Sequence, residues 1–363
     1  MSSILSRSVL RQVLEKAVSY GADFAEVYAE HTKSNRMTMV DGKVETIMDN
    51  FLSGAGIRVF KGLKSAYAST SDLSLPSLLK CAENAAASLS NTPASREILL
   101  TERLFGDVHP IRIVPDTAPN ARKAEILRTA YTSAKSYHES ISQVEASLID
   151  VDHEILIANT DGLLTGDRQI RTRLFTQAVA SKNGENQTGS CSPGRRMGLE
   201  MFDAIDPASV GREAARQAVV MLSAGYCPAG KMTVAIENGF GGVIFHEACG
   251  HSLEATSVAK GNSQFAGKLG TRIANPKVSA VDDGTIPHAW GSMNIDDEGH
   301  PSQRNVLIKD GVCTSYLIDR LNGQRMGMPS TGSSRRQNYT FEPTSRMTNT
   351  FILNGPDKNE DII

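Results

Sequence analysis

The chain has 363 residues, which allows roughly two or three domains, and 40% of them are hydrophobic, ample for buried cores. Its 38 Lys and Arg nearly balance 40 Asp and Glu, which excludes the basic field expected of a nucleic-acid binder. Five cysteines without CxxC spacing exclude a disulfide framework, and no stretch approaches the roughly 18 apolar residues of a membrane span, so free thiols in a cytoplasmic protein are expected.

The N-terminal stretch offers no sustained apolar region of the kind a secretory leader carries. Instead Val9, Leu10, Val13, Leu14, Ala17 and Val18 recur at helical spacing, with Ser6 placed to cap the start and Gly21 to end it. ADFAEVYAEH and RMTMVDGKVETIM read as successive strands, Asp41-Gly42 forming a type I′ hairpin, and AGIRVFKGLKSAYAS turns back around Gly62. LSLPSLLKCAENAAASL returns to helix with Pro76 in its first turn, and a first module closes near residue 90.

Residues 91 to 118 form a connector carrying Pro93, Pro110 and Pro115, and ARKAEILRTAYTSAKSY then resumes helical periodicity. SQVEASLID, HEILIANT and RQIRTRLFTQAVAS are strand segments separated by turns at Asp161-Gly162 and Asn183-Gly184. Asp206-Pro207 opens a helix, and GYCPAG breaks the chain before the strand expected at KMTVAIEN. The reading is an α+β, two-lobed protein with mixed and antiparallel sheets: an N-terminal domain over 1–222, with submodules 1–90 and 115–222, and a C-terminal domain over 229–363.

VIFHEACGHSLEAT should follow a glycine turn as a largely buried helix, and it carries His246, Glu247 and His251. Residues five apart lie about 140° apart on a regular helix, so both imidazoles could face one ion only if the helix is distorted. A π-bulge or an unwinding at Gly250 would supply that, and a distortion within 246–252 is predicted. Two neutral imidazoles would then hold a divalent ion, zinc by preference, with Glu247 as general base. The competing reading is two buried histidines bonded to backbone, and Cys249, three residues from His246, is a rival ligand.

GFGGVIFHEACGHSLEATSVAKGNSQFAGKLG followed by SAVDDGTIPHAWGSMNIDDEGHPSQRNVLIKDG resembles the TldD/PmbA family of metallopeptidases, and the HExxxH signature marks its TldD branch. The likeness runs on through YLIDRLNGQRMGMPSTGSSRRQNYTFEPTSRMTN and back to GADFAEVYAEHTKSNRMTMVDGKVETIMDNFLSGAGIRVF. It implies a cytoplasmic zinc metallopeptidase of peptide maturation, assembling with itself or with a PmbA-like subunit and acting on peptides or unfolded segments bound as an added strand. It makes His246 and His251 the zinc ligands and Glu247 the base.

The family takes a third ligand, a cysteine, from a glycine-rich segment near its C-terminus, and this chain stops at NGPDKNEDII before any such segment. A truncated form is therefore expected, with a catalytically silent peptide-binding or assembly subunit as the alternative to an active peptidase. Cys313 reads as a core thiol, His288 and His300 as exposed loop residues, and Asp296, Asp297 and Glu298 as a solvated turn. Arg335 and Arg336 could line a peptide channel or clamp a carboxylate, and fit a basic surface loop at least as well.

Overall fold

The computed structural model describes residues 4–89 and 92–362; the module boundary expected near residue 90 falls on 90 and 91, outside the described residues. Helix α1 (Arg7–Val18) begins where the Ser6 hydroxyl accepts the Val9 N–H, and it buries Leu10, Val13 and Leu14 completely. Each such side chain contributes roughly 1.5–3 kcal/mol relative to exposure. Strands β1 (Phe24–Val40) and β2 (Lys43–Lys61) form a long hairpin whose turn has Asp41 and Gly42 at φ 46° and 81°, the backbone signature of the expected type I′ turn. Strand β3 (Lys64–Thr70) and helix α2 (Leu75–Ala87) complete this part.

After the short β4 (Thr101–Glu102) come helix α3 (Asn120–Lys135), strands β5 (Ile141–Asn159), β6 (Leu163–Lys182), β7 (Glu185–Cys191) and β8 (Gly194–Arg195), and helix α4 (Pro207–Met221). All eight strands join one sheet, ordered β3-β2-β1-β5-β6-β4, with β7 and β8 also paired to β6. The sequence reading divides β1 and β5 at their polar middles, yet each is a single strand. β1 is hydrogen-bonded on both sides, and its polar residues find partners across the ladder: Asn35 donates to Asp150 at 2.7 Å. Pairing of the backbone carries a strand through residues that supply no apolar side chain.

Alternation along the strands sorts the sheet's two faces. Ala25, Val27 and Ala29 pack with Leu156 and Ala158 beneath α1 and α2, while Met37 and Leu148 pack beneath α3. Tyr28, Ile155 and Ile157 point the other way and meet Ile295 and Tyr339 of the C-terminal region. Helices cover one face and the C-terminal region the other.

That region centres on a four-stranded antiparallel sheet. It contains β9 (Ala280–Asp283), β10 (Arg304–Lys309), β11 (Val312–Cys313) and β14 (Thr350–Ile352), in the order β11-β10-β9-β14. Helix α7 (Arg320–Met326) and the short hairpin of β12 (Ser334–Arg335) and β13 (Thr344–Ser345) come between β11 and β14 in the chain. The architecture is α+β with mixed and antiparallel sheets.

Three local expectations are corrected. KMTVAIEN is not a strand: it runs as exposed chain, with Met232, Val234 and Ile236 at 48%, 63% and 54% exposure, because no strand among the described residues pairs with its alternating pattern. Asp296, Asp297 and Glu298 are buried rather than solvated. Their carboxylates are satisfied from inside, Asp296 by the N–H groups of Glu298, His300 and Ser334, Asp297 by the N–H of Arg336, and Glu298 by Arg58 at 2.6 Å. Arg336 is likewise buried, not a surface-loop residue, and pairs with Glu26 at 3.1 Å.

Candidate metal centre

The segment expected as a largely buried helix distorted within 246–252 is distorted there but only partly buried, with Val243, Ile244, Glu247 and Ala248 exposed. A 3-10 turn over Gly239–Gly242 leads into α5 (Val243–Phe245), a π-helical turn over His246–Gly250, a second 3-10 turn over His251–Leu253 and then α6 (Ala255–Val258). Phe245 and Leu253 anchor it in the C-terminal core with Leu307, Tyr316, Leu317 and Met347. Phe240 and Ile244 lie on its outer side, 89% and 58% exposed.

The π-turn is the predicted distortion, and it has a defined hydrogen bond: the His251 N–H donates to the His246 carbonyl, a five-residue closure in place of four. One extra residue in the turn brings the two imidazoles edge to face, with ring centroids 4.7 Å apart. Gly250 contributes differently from expectation. Its backbone is ordinarily helical, φ −55°, so left-handed freedom is not used. What glycine provides is space, since a Cβ there would lie 2.2 Å from the Met347 sulfur.

His246, Glu247 and His251 each offer a ligand atom, and these atoms lie within 4.8 Å of one another. Glu247 Oε2 is 3.9 Å from His251 Nε2. Nδ1 of His251 faces the buried Glu254, 3.1 Å from its Oε1, which directs Nε2 toward the other two groups. Burial, then the neighbouring His251, lowers the pKa of His246 and keeps its imidazole neutral, as a ligand must be. Two imidazoles, with a carboxylate beside them to accept a proton, suit a borderline divalent cation such as zinc.

The remaining sequence candidates do not join this group. Cys249 packs half-buried against the core and Cys313 is completely buried in it. His288 and His300 are half-buried rather than exposed. The backbone N–H of His288 donates to His109 Nδ1 at 3.0 Å, and His300 Nδ1 donates to the Pro301 carbonyl at 3.0 Å. Glu254 escaped the sequence reading, although its place three residues after His251 on a helical segment was the available signal.

Around the group, the β12–β13 hairpin brings two arginines. Arg346 Nη1 is 3.5 Å from Glu254 Oε2, and Arg335 donates to the Met347 carbonyl at 2.8 Å. The hairpin is held to the large sheet through buried charge, for Arg58 pairs with Glu26 at 3.2 Å and Glu298 at 2.6 Å, and Arg336 reaches the same Glu26.

Three family models match the chain: PmbA/TldA metallopeptidase domain 1 over residues 25–89, the central domain over 113–222 and the C-terminal domain over 229–363. A metalloprotease TldD homolog of Haemophilus influenzae is 36% identical, the alignment covering 99% of this chain and 76% of that protein. One from Buchnera aphidicola is 32% identical over 86% of this chain and 66% of its own length. Among solved structures, one from Thermotoga maritima superposes with a TM-score of 0.79 at 21% identity, covering 97% of this chain and 78% of that one.

Proposed function

The chain belongs to the TldD/PmbA family of metallopeptidases, and from that membership we propose that it hydrolyses peptide bonds in peptides or unfolded segments with zinc held by His246 and His251. The observation that carries this reading is the π-turn, which closes His246, Glu247 and His251 into one group with ligand atoms within 4.8 Å. When bound, the ion supplies Lewis acidity, acidifying water and polarising a carbonyl oxygen.

The chain's own residues do the rest. His246 and His251 donate ring nitrogens. Glu247, 66% exposed at the side chain, can meet an incoming substrate; it takes a proton from the attacking water and returns it to the departing amine as the C–N bond breaks. The exposed outer side of the segment, Phe240 and Ile244, gives an extended peptide apolar surface to lie against. A cytoplasmic setting, a role in peptide maturation and assembly with itself or a PmbA-like subunit belong to the same reading.

The test is zinc stoichiometry and peptide cleavage for the wild type, Glu247→Gln and His251→Ala. The reading expects Glu247→Gln to keep zinc and lose turnover by at least about 100-fold, the usual worth of a general base, and His251→Ala to lose both. Full cleavage by Glu247→Gln would reject the base; loss of zinc in that variant would make Glu247 a ligand instead.

A further inference from the structure

We infer that Glu254 is the positioning residue of this centre, locking His251 with Nδ1 protonated and Nε2 free to bind a divalent cation; the inference rests on the zinc reading above. Its geometry differs from that of an ordinary surface glutamate. The side chain is 6% exposed, with Oε1 3.1 Å from His251 Nδ1 and Oε2 3.5 Å from Arg346 Nη1. Glu254 occupies the N-cap position of α6 yet makes no side-chain capping bond, so the helix start does not account for a carboxylate buried there. Its backbone is held independently: the following N–H, of Ala255, donates to the Leu317 carbonyl at 2.8 Å.

A carboxylate in this environment is costly unless paired. Glu254 is paired twice, once to each neighbour, and the consequence falls on the imidazole. An ionised Glu254 can only accept, so in that state His251 Nδ1 carries the hydrogen and the free lone pair is on Nε2, the nitrogen on the side of Glu247. The same bond fixes the ring plane and raises its donor strength. Arg346 completes a line from guanidinium through carboxylate to imidazole, and the hairpin that carries it is thereby coupled to the centre.

The experiment measures zinc affinity of the purified chain by competition with a chromophoric chelator, for the wild type, Glu254→Ala, Glu254→Gln and His251→Ala. Affinity should fall about 10–100-fold in Glu254→Ala. Glu254→Gln, whose amide oxygen can still accept from Nδ1, should recover part of that loss. Cobalt(II) bound to the alanine variant should show a visible spectrum displaced from that of the wild type, a change that simple loss of stability would not produce. Wild-type affinity and spectrum in Glu254→Ala would overturn the inference. If that variant does not fold, Glu254→Gln decides: weaker binding than wild type supports the role, and equal binding overturns it. A wild type that takes up no zinc, or a His251→Ala variant that binds as well as the wild type, would instead reject the zinc reading itself and the positioning role with it.

Discussion

His251 lies five residues beyond His246, and its N–H closes on the His246 carbonyl while the two rings meet edge to face. An α-helix would have placed these side chains on different faces. The wider turn is supported from outside by close contact between Gly250 and Met347, and three consequences of the surrounding structure can be measured.

Gly250→Ala places a methyl group 2.2 Å from the Met347 sulfur, so the methionine or the turn must move. Overpacking of this kind destabilises by about 1–3 kcal/mol. Thermal denaturation should show that loss, and Met347→Ala in the same chain should recover part of it. Strictly additive losses in the double variant would disprove the contact.

Arg58 is fully buried between Glu26 and Glu298. Removing it as Arg58→Met leaves two buried carboxylates, of which only Glu26 keeps a second arginine, Arg336. Breaking a buried pair from one side costs about 3–5 kcal/mol. Urea unfolding followed at Trp290 is the measurement, and Glu298→Gln added to Arg58→Met should relieve part of the loss. A loss below about 1 kcal/mol would place the pair with exposed bridges.

Glu30 gives a pH dependence with a definite sign. Burial would raise its pKa, but His153 Nε2 at 2.7 Å from Oε2 and the Tyr339 N–H at 2.7 Å from Oε1 outweigh burial and hold it below the ordinary carboxylate value. Because the folded value lies below the unfolded one, its contribution is complete above roughly pH 4.3 and disappears as pH falls through the lowered folded value. Glu30→Gln should flatten the fall of Tm with pH below about 5. An equally steep acid limb in the variant would exclude Glu30 as its source.

How much of this could be read beforehand follows from which interactions are local. The α1 cap at Ser6, the turn at Asp41-Gly42 and the need for distortion between His246 and His251 depend on nearest neighbours, and all three are present in the fold. The burial of Asp296, Asp297 and Glu298 was not legible, because it depends on Arg58, on Arg336 and on backbone N–H groups that chain spacing does not bring near. KMTVAIEN misleads for the converse reason: its alternation satisfies the strand pattern, but a strand also needs a neighbour. Glu254 lay between these cases, its distance from His251 legible and its pairing with Arg346 not.

The exposed run around Met232, Val234 and Ile236 is the covalent tether between the large sheet and the half that carries the histidines. It adds little to how those halves are oriented. That task is shared by contacts that cross from one half to the other without following the chain, among them those of Arg58, Arg336, Tyr28 and Tyr339 and the Arg320–Asp161 and Arg196–Ser292 bonds. The molecule is thus keyed together by charge and ring packing that cross between the halves, as two separate subunits would be.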